Sequence, residues 1–176
     1  MSGGPGCEGE SENDDFVSPI DIMKTLHFRD AAAVDVPVMA EFQLAMALEM
    51  EDLRLHLPTT LKGVEAVIGN RSLGRYLLAE KDGWIVGSLL VTLEWSDWRN
   101  GEYWWIQSVY VVPEARGAGV FKGLYAHVKA LAEADPTVRG LRLYVDRRNQ
   151  TAQQVYTKLG MNGDHYQVFE WMKLGV

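Results

Sequence analysis

The stretch Val109-Tyr110-Val111-Val112-Pro113-Glu114-Ala115-Arg116-Gly117-Ala118-Gly119-Val120-Phe121-Lys122 carries more chemistry than any other part of the chain. It reads as the end of a strand running into the start of a helix. The first N–H groups of a helix lack intrahelical acceptors and sit at the positive end of its dipole, so such a junction favours an anion, a phosphate above all. Glycines at 117 and 119 let the main chain come close to that group, and Arg116 adds a fixed charge with a forked donor. A Walker loop would need Gly-Lys-Ser/Thr, which is absent. A dinucleotide fingerprint would place its third glycine where Lys122 stands and an acidic ribose partner about 20 residues on.

A second segment has the same character: Asn149, Ala152, Tyr156 and Gly160 follow the pattern N-x-x-A-x-x-x-Y-x-x-x-G. Together the two segments resemble the cofactor-binding motifs of the GCN5-related N-acetyltransferases (GNAT), and the resemblance in element order runs from about Lys24 to Lys173. It implies acetyl-CoA as cosubstrate. The N–H groups of Gly117, Ala118, Gly119, Val120, Phe121 and Lys122, with Arg116, would then hold the coenzyme A pyrophosphate. The main chain of Val109, Tyr110 and Val111 would pair with the pantetheine arm, and Asn149 would belong to the cofactor site. Two departures stand out: Glu114 replaces the usual Gln or Arg, and Phe121 replaces a small residue. Neither touches the Arg-Gly-x-Gly core.

The resemblance also implies direct attack by a neutral amine on the thioester, with the oxyanion held by a strand N–H near Val109. In relatives with a tyrosine at this place the phenol stands near the sulfur, so Tyr156 is the candidate general acid for the departing thiolate. The base is less clear. Polyamine acetyltransferases carry a Glu where Gln107 stands, and an amide cannot accept that proton, so Gln107 would orient a water or the substrate. Glu94 and Glu102 bracket the loop between two strands. Glu94 is the better candidate, because it ends an apolar strand beside Trp95, where loss of water would raise its basicity.

Simpler roles compete for the same residues. Trp95, Trp98, Trp104 and Trp105 crowd into eleven residues, either as a cation–π wall for an amine or, with more weight, as sheet packing or a dimer surface. Asn149 is well placed to cap a helix, and Tyr156 to fill a core. Lys122, Arg139, Arg142, Arg147 and Arg148 are candidates for the coenzyme's 3′-phosphate, Arg147-Arg148 first. His27, His56, His127 and His165 show no metal-like spacing, so no metal is implied.

The elements that must position these groups follow from periodicity. A short strand over Thr25 to Arg29 precedes a helix on which Val34, Val38, Phe42, Ala45, Leu48 and Leu53 recur at roughly helical spacing. Pro58 closes that stretch, and Leu61, Val64, Val67 and Ile68 mark a second helix. Tyr76 to Glu80 and Trp84 to Leu93 flank Lys81-Asp82-Gly83, a hairpin signal, and Asn100-Gly101 turns the chain into a strand from Tyr103 to Val112. A helix from near Gly119 to Asp135, a strand Leu141 to Asp146, a helix from Asn149 to Gly160 and a last strand Tyr166 to Lys173 complete the order. The expected fold is α/β, a GNAT-like mixed sheet of six to seven strands flanked by about four helices, with a right-handed crossover between parallel strands.

Composition narrows the function classes. At 176 residues and 47% hydrophobic content the chain is long enough to bury a single core. Residues 1–22 are acidic, polar and glycine-rich and read as a disordered tail, leaving residues 23–176 as one domain. The formal charge of −7 is concentrated in Glu8, Glu10, Glu12, Asp14, Asp15 and Asp21. A near-neutral body argues against a nucleic-acid partner. One cysteine, Cys7, excludes an internal disulfide and fits a reducing, cytoplasmic setting, and neither export signal nor membrane span is visible.

The expected function is therefore acetyl-CoA-dependent N-acetylation of a small-molecule primary amine, a polyamine or amino acid derivative, in a ternary complex, by a chain that could form a homodimer. A non-catalytic acyl-CoA-binding module and a protein N-terminal or lysine acetyltransferase are the alternatives.

Overall fold

The computed structural model describes residues 26–173. The acidic tail and Cys7 lie outside the described residues. Strand β1 (His27–Asp30) leads through a 3-10 turn at Ala33–Asp35 into helices α1 (Val36–Glu51) and α2 (Leu57–Gly69). A meander of β2 (Arg75–Lys81), β3 (Trp84–Ser96) and β4 (Gly101–Val111) follows, then α3 (Val120–Ala134), β5 (Val138–Arg142) and α4 (Gln150–Lys158). The sheet order is β1-β2-β3-β4-β5, antiparallel throughout except for the β4–β5 pair, which is parallel across the α3 crossover.

Local chemistry sets these boundaries. Asp82 (φ 51°) and Gly83 (φ 82°) both take the left-handed conformation that a two-residue hairpin turn requires, and Asn100 (φ 45°) turns the next hairpin. Asp52 (φ 52°) ends α1. Pro58 does not close the preceding helix but lies in the first turn of α2, where its missing N–H costs nothing. Arg29 ties the first elements together, donating to Asp35 at 2.7 and 3.0 Å and to Glu80 at 2.6 Å.

Each face of the sheet has its own core. On one, Leu77, Ala79, Leu89, Val91, Trp104 and Ile106 pack against Val120, Leu124, Tyr125 and Val128 of α3. On the other, Tyr76 and Leu78, with Leu90 beside them, pack against Met39 of α1 and Val64 of α2. The position of α3 depends on two close approaches. A Cβ on Gly87 would meet Val120 Cγ1 at 2.8 Å, and one on Gly123 would meet Phe28 Cζ at 2.4 Å. These glycines let the N-terminal half of α3 settle onto β3 and β1.

Among the described residues the sheet has five strands rather than the expected six to seven, and the difference there lies towards the C-terminus. The strand after α3 ends at Arg142 instead of Asp146, because its ladder on β4 runs only from Glu102↔Val138 to Trp105↔Arg142. The expected last strand, Tyr166 to Lys173, pairs with nothing among the described residues. Asp164 N–H donates to Asn162 Oδ1 at 2.7 Å, a local turn that competes with ladder formation. Beyond it Tyr166, Phe169 and Trp171 stay exposed, and the outer edge of β5 has no strand neighbour among the described residues.

Candidate active site

The site begins at a break in β4. Opposite Leu90 of β3 stands Gln107, whereas Ser88 faces Tyr110, so Ser108 and Val109 together oppose Leu89 alone. This is a β-bulge, with Ser108 held at φ 47°. It bends β4 just past the point where pairing to β5 stops at Trp105. From Ile106 to Val111 the outward edge of β4 has no ladder partner among the described residues; Val111 O accepts from Arg116 Nε, and the remaining outward N–H and C=O groups face a gap that an extended ligand arm can enter.

At the end of the gap lies the junction read from the sequence. Val112 N–H donates to Val86 O at 3.0 Å, which fixes the strand end. A 3-10 turn at Pro113–Ala115 then carries the chain to Gly117 (φ 76°) and Gly119 (φ 83°) and into α3. The N–H groups of residues 117–122 find no acceptor among the described residues, and a Cβ on Gly117 would meet nothing within 4 Å. An open ring of unengaged amides at a helix start fits a diphosphate.

The side chain of Arg116 does not point into this ring. Its Nε donates to Val111 O at 3.0 Å, and its two terminal nitrogens each reach a carboxylate oxygen of Glu49 at 2.7 Å. Its guanidinium also lies over Tyr110, which packs on Phe42 of α1. Glu49 was not legible in advance, since only the fold brings α1 and this junction together across 67 residues.

Tyr156 joins the junction, and Asn149 starts the helix that carries it. Asn149 Oδ1 accepts the Ala152 N–H at 2.9 Å, so it is the cap of α4. About two turns past the cap, the Tyr156 ring meets Phe121 edge-on at 5.7 Å, bringing the second segment against the first turn of α3. Burial pushes the Tyr156 phenol above its ordinary value, so it holds its proton at neutral pH.

The opposite wall is the part of the sheet beyond the cover of α1 and α2. Pleating sends Tyr103, Trp105 and Gln107 of β4, with Thr92 and Glu94 of β3 and Arg142 of β5, to one face. Gln107 Nε2 donates to Thr92 Oγ1 at 2.5 Å, which leaves its carbonyl oxygen available. Glu94 is not the desolvated carboxylate that its neighbours suggested, because Trp95 is 61% exposed and gives it no cover. One Glu94 oxygen accepts from Trp105 Nε1 and the other from Arg142 at 2.7 Å. Glu102 lies on the far face, near Trp104.

The aromatic cluster is also filled differently from a substrate cage. Arg142 stacks over Tyr103 at 3.9 Å, and Arg75 lies over Trp104 at 5.9 Å, so the protein's own cations occupy these rings. Trp98 is 89% exposed at the hairpin tip. Arg139 donates to the carbonyls of Arg99, Pro136 and Asn100, and Arg148 pairs with Asp146. Among the described residues no group of acidic, His or Cys side chains could hold a metal, and no helix is long and apolar enough to cross a membrane.

This architecture has known counterparts. The model of the acetyltransferase (GNAT) family matches residues 43–161. The chain belongs to the GNAT acetyltransferase family. Among solved structures, this acetyltransferase is similar to a possible acetyltransferase from Clostridium difficile 630, at 34% identity over 85% of this chain and 99% of that one, with a TM-score of 0.80. It shares its fold with a predicted acetyltransferase from Clostridium acetobutylicum solved with acetyl-CoA, at 16% identity, 82% and 96% coverage and a TM-score of 0.65. It also shares its fold with AAC(6')-Iy in complex with the bisubstrate analogue CoA-S-monomethyl-acetylneamine, at 16% identity, 84% and 98% coverage and a TM-score of 0.66. No curated protein matches the chain. By its family the chain is an acetyltransferase, and the gap along β4 with the amide ring of α3 offers room for an extended ligand that ends in a diphosphate.

Proposed function

We propose that the protein transfers the acetyl group of acetyl-CoA to a primary amine of a small molecule within a ternary complex. The observation that carries this reading is the pairing of unengaged amides at residues 117–122 with the unpaired edge of β4, one suited to a diphosphate and the other to an extended amide-bearing arm. In this reading the main chain of Val109, Tyr110 and Val111 aligns the arm, and a bulge N–H at Val109 faces the thioester oxygen. Gln107, anchored by Thr92, offers its carbonyl to an N–H of the amine and so orients the nitrogen lone pair.

The nitrogen attacks the thioester carbon, the C–S bond breaks, and Tyr156 donates its proton to the leaving sulfur. The amine proton passes to solvent at the open face, from which the phenol is restored. Glu94, with both oxygens engaged, holds Arg142 and Trp105 in place rather than accepting that proton.

The test has two arms. Acetyl-CoA is expected to raise the melting temperature by mass action, and free thiol is expected to appear when a panel of small amines is added. No thermal shift at millimolar acetyl-CoA would exclude the cofactor site. A shift without thiol release from any amine would exclude the reaction.

A further inference from the structure

Resting on the reading above, we propose that the acceptor is an extended primary amine ending in a carboxylate, held at that end by Arg142. Arg142 shares its face of the sheet with Gln107, and Arg142 and Tyr156 both border the cleft along the open edge of β5. The guanidinium is held by its 2.7 Å bond to Glu94 and lies over the rings of Tyr103 at 3.9 Å, Tyr166 at 5.6 Å and Trp105 at 5.8 Å. Only one of its terminal nitrogens is engaged in this way. Nε and the other terminal nitrogen have no acceptor among the described residues, and they form a prepared fork of the kind that binds a carboxylate with two parallel bonds.

Charge decides between acceptor classes. A polyamine needs an empty aromatic or acidic pocket for its distant ammonium. Here Arg142 fills the aromatic face and Glu94 is already paired, so a second cation would meet a cation. A neutral tail would gain nothing from the fork, whereas a carboxylate would complete it.

Register sets the length. Arg142 stands opposite Trp105, two residues from Gln107, which is about 7 Å along β4, and its guanidinium leans further away over Tyr103. The reacting amine and the carboxylate are thus two ends of a chain several carbons long, not neighbours on one carbon.

Three acceptors of equal length separate the possibilities: 6-aminohexanoate, hexylamine and 1,6-diaminohexane, with thiol release measured at saturating acetyl-CoA. The carboxylate is expected to exceed both others in kcat/KM by about tenfold, the value of one charge-assisted contact. Arg142→Gln should erase that advantage, and Arg142→Lys should keep part of it, both with an unchanged KM for acetyl-CoA. Equal or better use of hexylamine or the diamine, or an advantage that survives in Arg142→Gln, overturns the proposal. So does a lack of thiol release from all three while other amines in the panel react, an outcome that leaves the acetyltransferase reading standing. A missing thermal shift with acetyl-CoA would instead mark the failure of that reading.

Discussion

Glu49 grips Arg116 through both carboxylate oxygens, each at 2.7 Å, and so places an internal anion on the arginine beside the amide ring of α3. The pair holds the Glu49 carboxyl below the usual carboxylate range, with Arg116 as the main cause. Its side chains are 42% and 50% exposed, so the pair is worth at most about 1 kcal/mol. A diphosphate, with more charge and more acceptors, can compete with it.

Opposite effects are therefore expected from the two partners. Arg116→Ala should weaken acetyl-CoA binding about tenfold, since a charge-assisted contact is lost while the main-chain amides remain. Glu49→Gln should tighten binding by about two- to fivefold by releasing the guanidinium. Calorimetric titration of both variants checks this, and weaker binding in Glu49→Gln would show that Glu49 orients Arg116 instead of competing for it.

Tyr156→Phe keeps the ring that meets Phe121 at 5.7 Å and removes only the hydroxyl. The melting temperature and the KM for acetyl-CoA should stay close to wild type, while kcat falls by about 100-fold or more. Because burial raises the phenol, the donor stays protonated across the working range, so no alkaline loss of kcat from this group is expected below about pH 10. Stopped-flow thiol release across pH decides the point.

Gly123→Ala tests the seating of α3. Alanine favours the helix by about 1 kcal/mol over glycine, but its Cβ would lie 2.4 Å from Phe28 Cζ. Overpacking against a ring in a filled core costs about 1–3 kcal/mol. The contact should win, lowering the melting temperature. An unchanged or higher value would mean that β1 yields easily.

Asp35 should shape the acid limb of stability. Arg29 is the main cause holding its carboxyl below the ordinary range, with the Ala32 N–H adding to it. A folded-state value below the unfolded one stabilises fully above the unfolded pKa, near 3.9, and that contribution is lost as pH falls through the folded value. Asp35→Asn should cost about 2 kcal/mol at neutral pH, with the gap to wild type constant above about pH 5 and closing below about pH 4 in urea titrations.

What could be read in advance follows from the range of each interaction. The amides of residues 117–122, the cap at Asn149 and the turn at Asp82-Gly83 depend on residues a few positions apart, and local spacing reveals them. The pairing of Glu49 with Arg116, and of Glu94 with Arg142 across 48 residues, depends on how helices and strands come together. Glu94 looked like a desolvated base because its sequence neighbour is Trp95, yet on a strand that neighbour points to the opposite face. The alternation of Tyr166 to Lys173 suggested a strand, but alternation shows only that a segment can be extended, and a ladder also needs an edge in reach.

Ser108 gives the site an unusual tolerance. Because the kink at this one position, rather than any side chain, strips the outer rim of β4 of its neighbour, Val109 and Val111 could drift among similar residues while the grip on the thioester arm persists. Deleting a single residue there would be far less forgiving. The ladder on β3 would become regular with Gln107 still opposite Leu90, the strand would straighten, and the slot for the donor would zip shut.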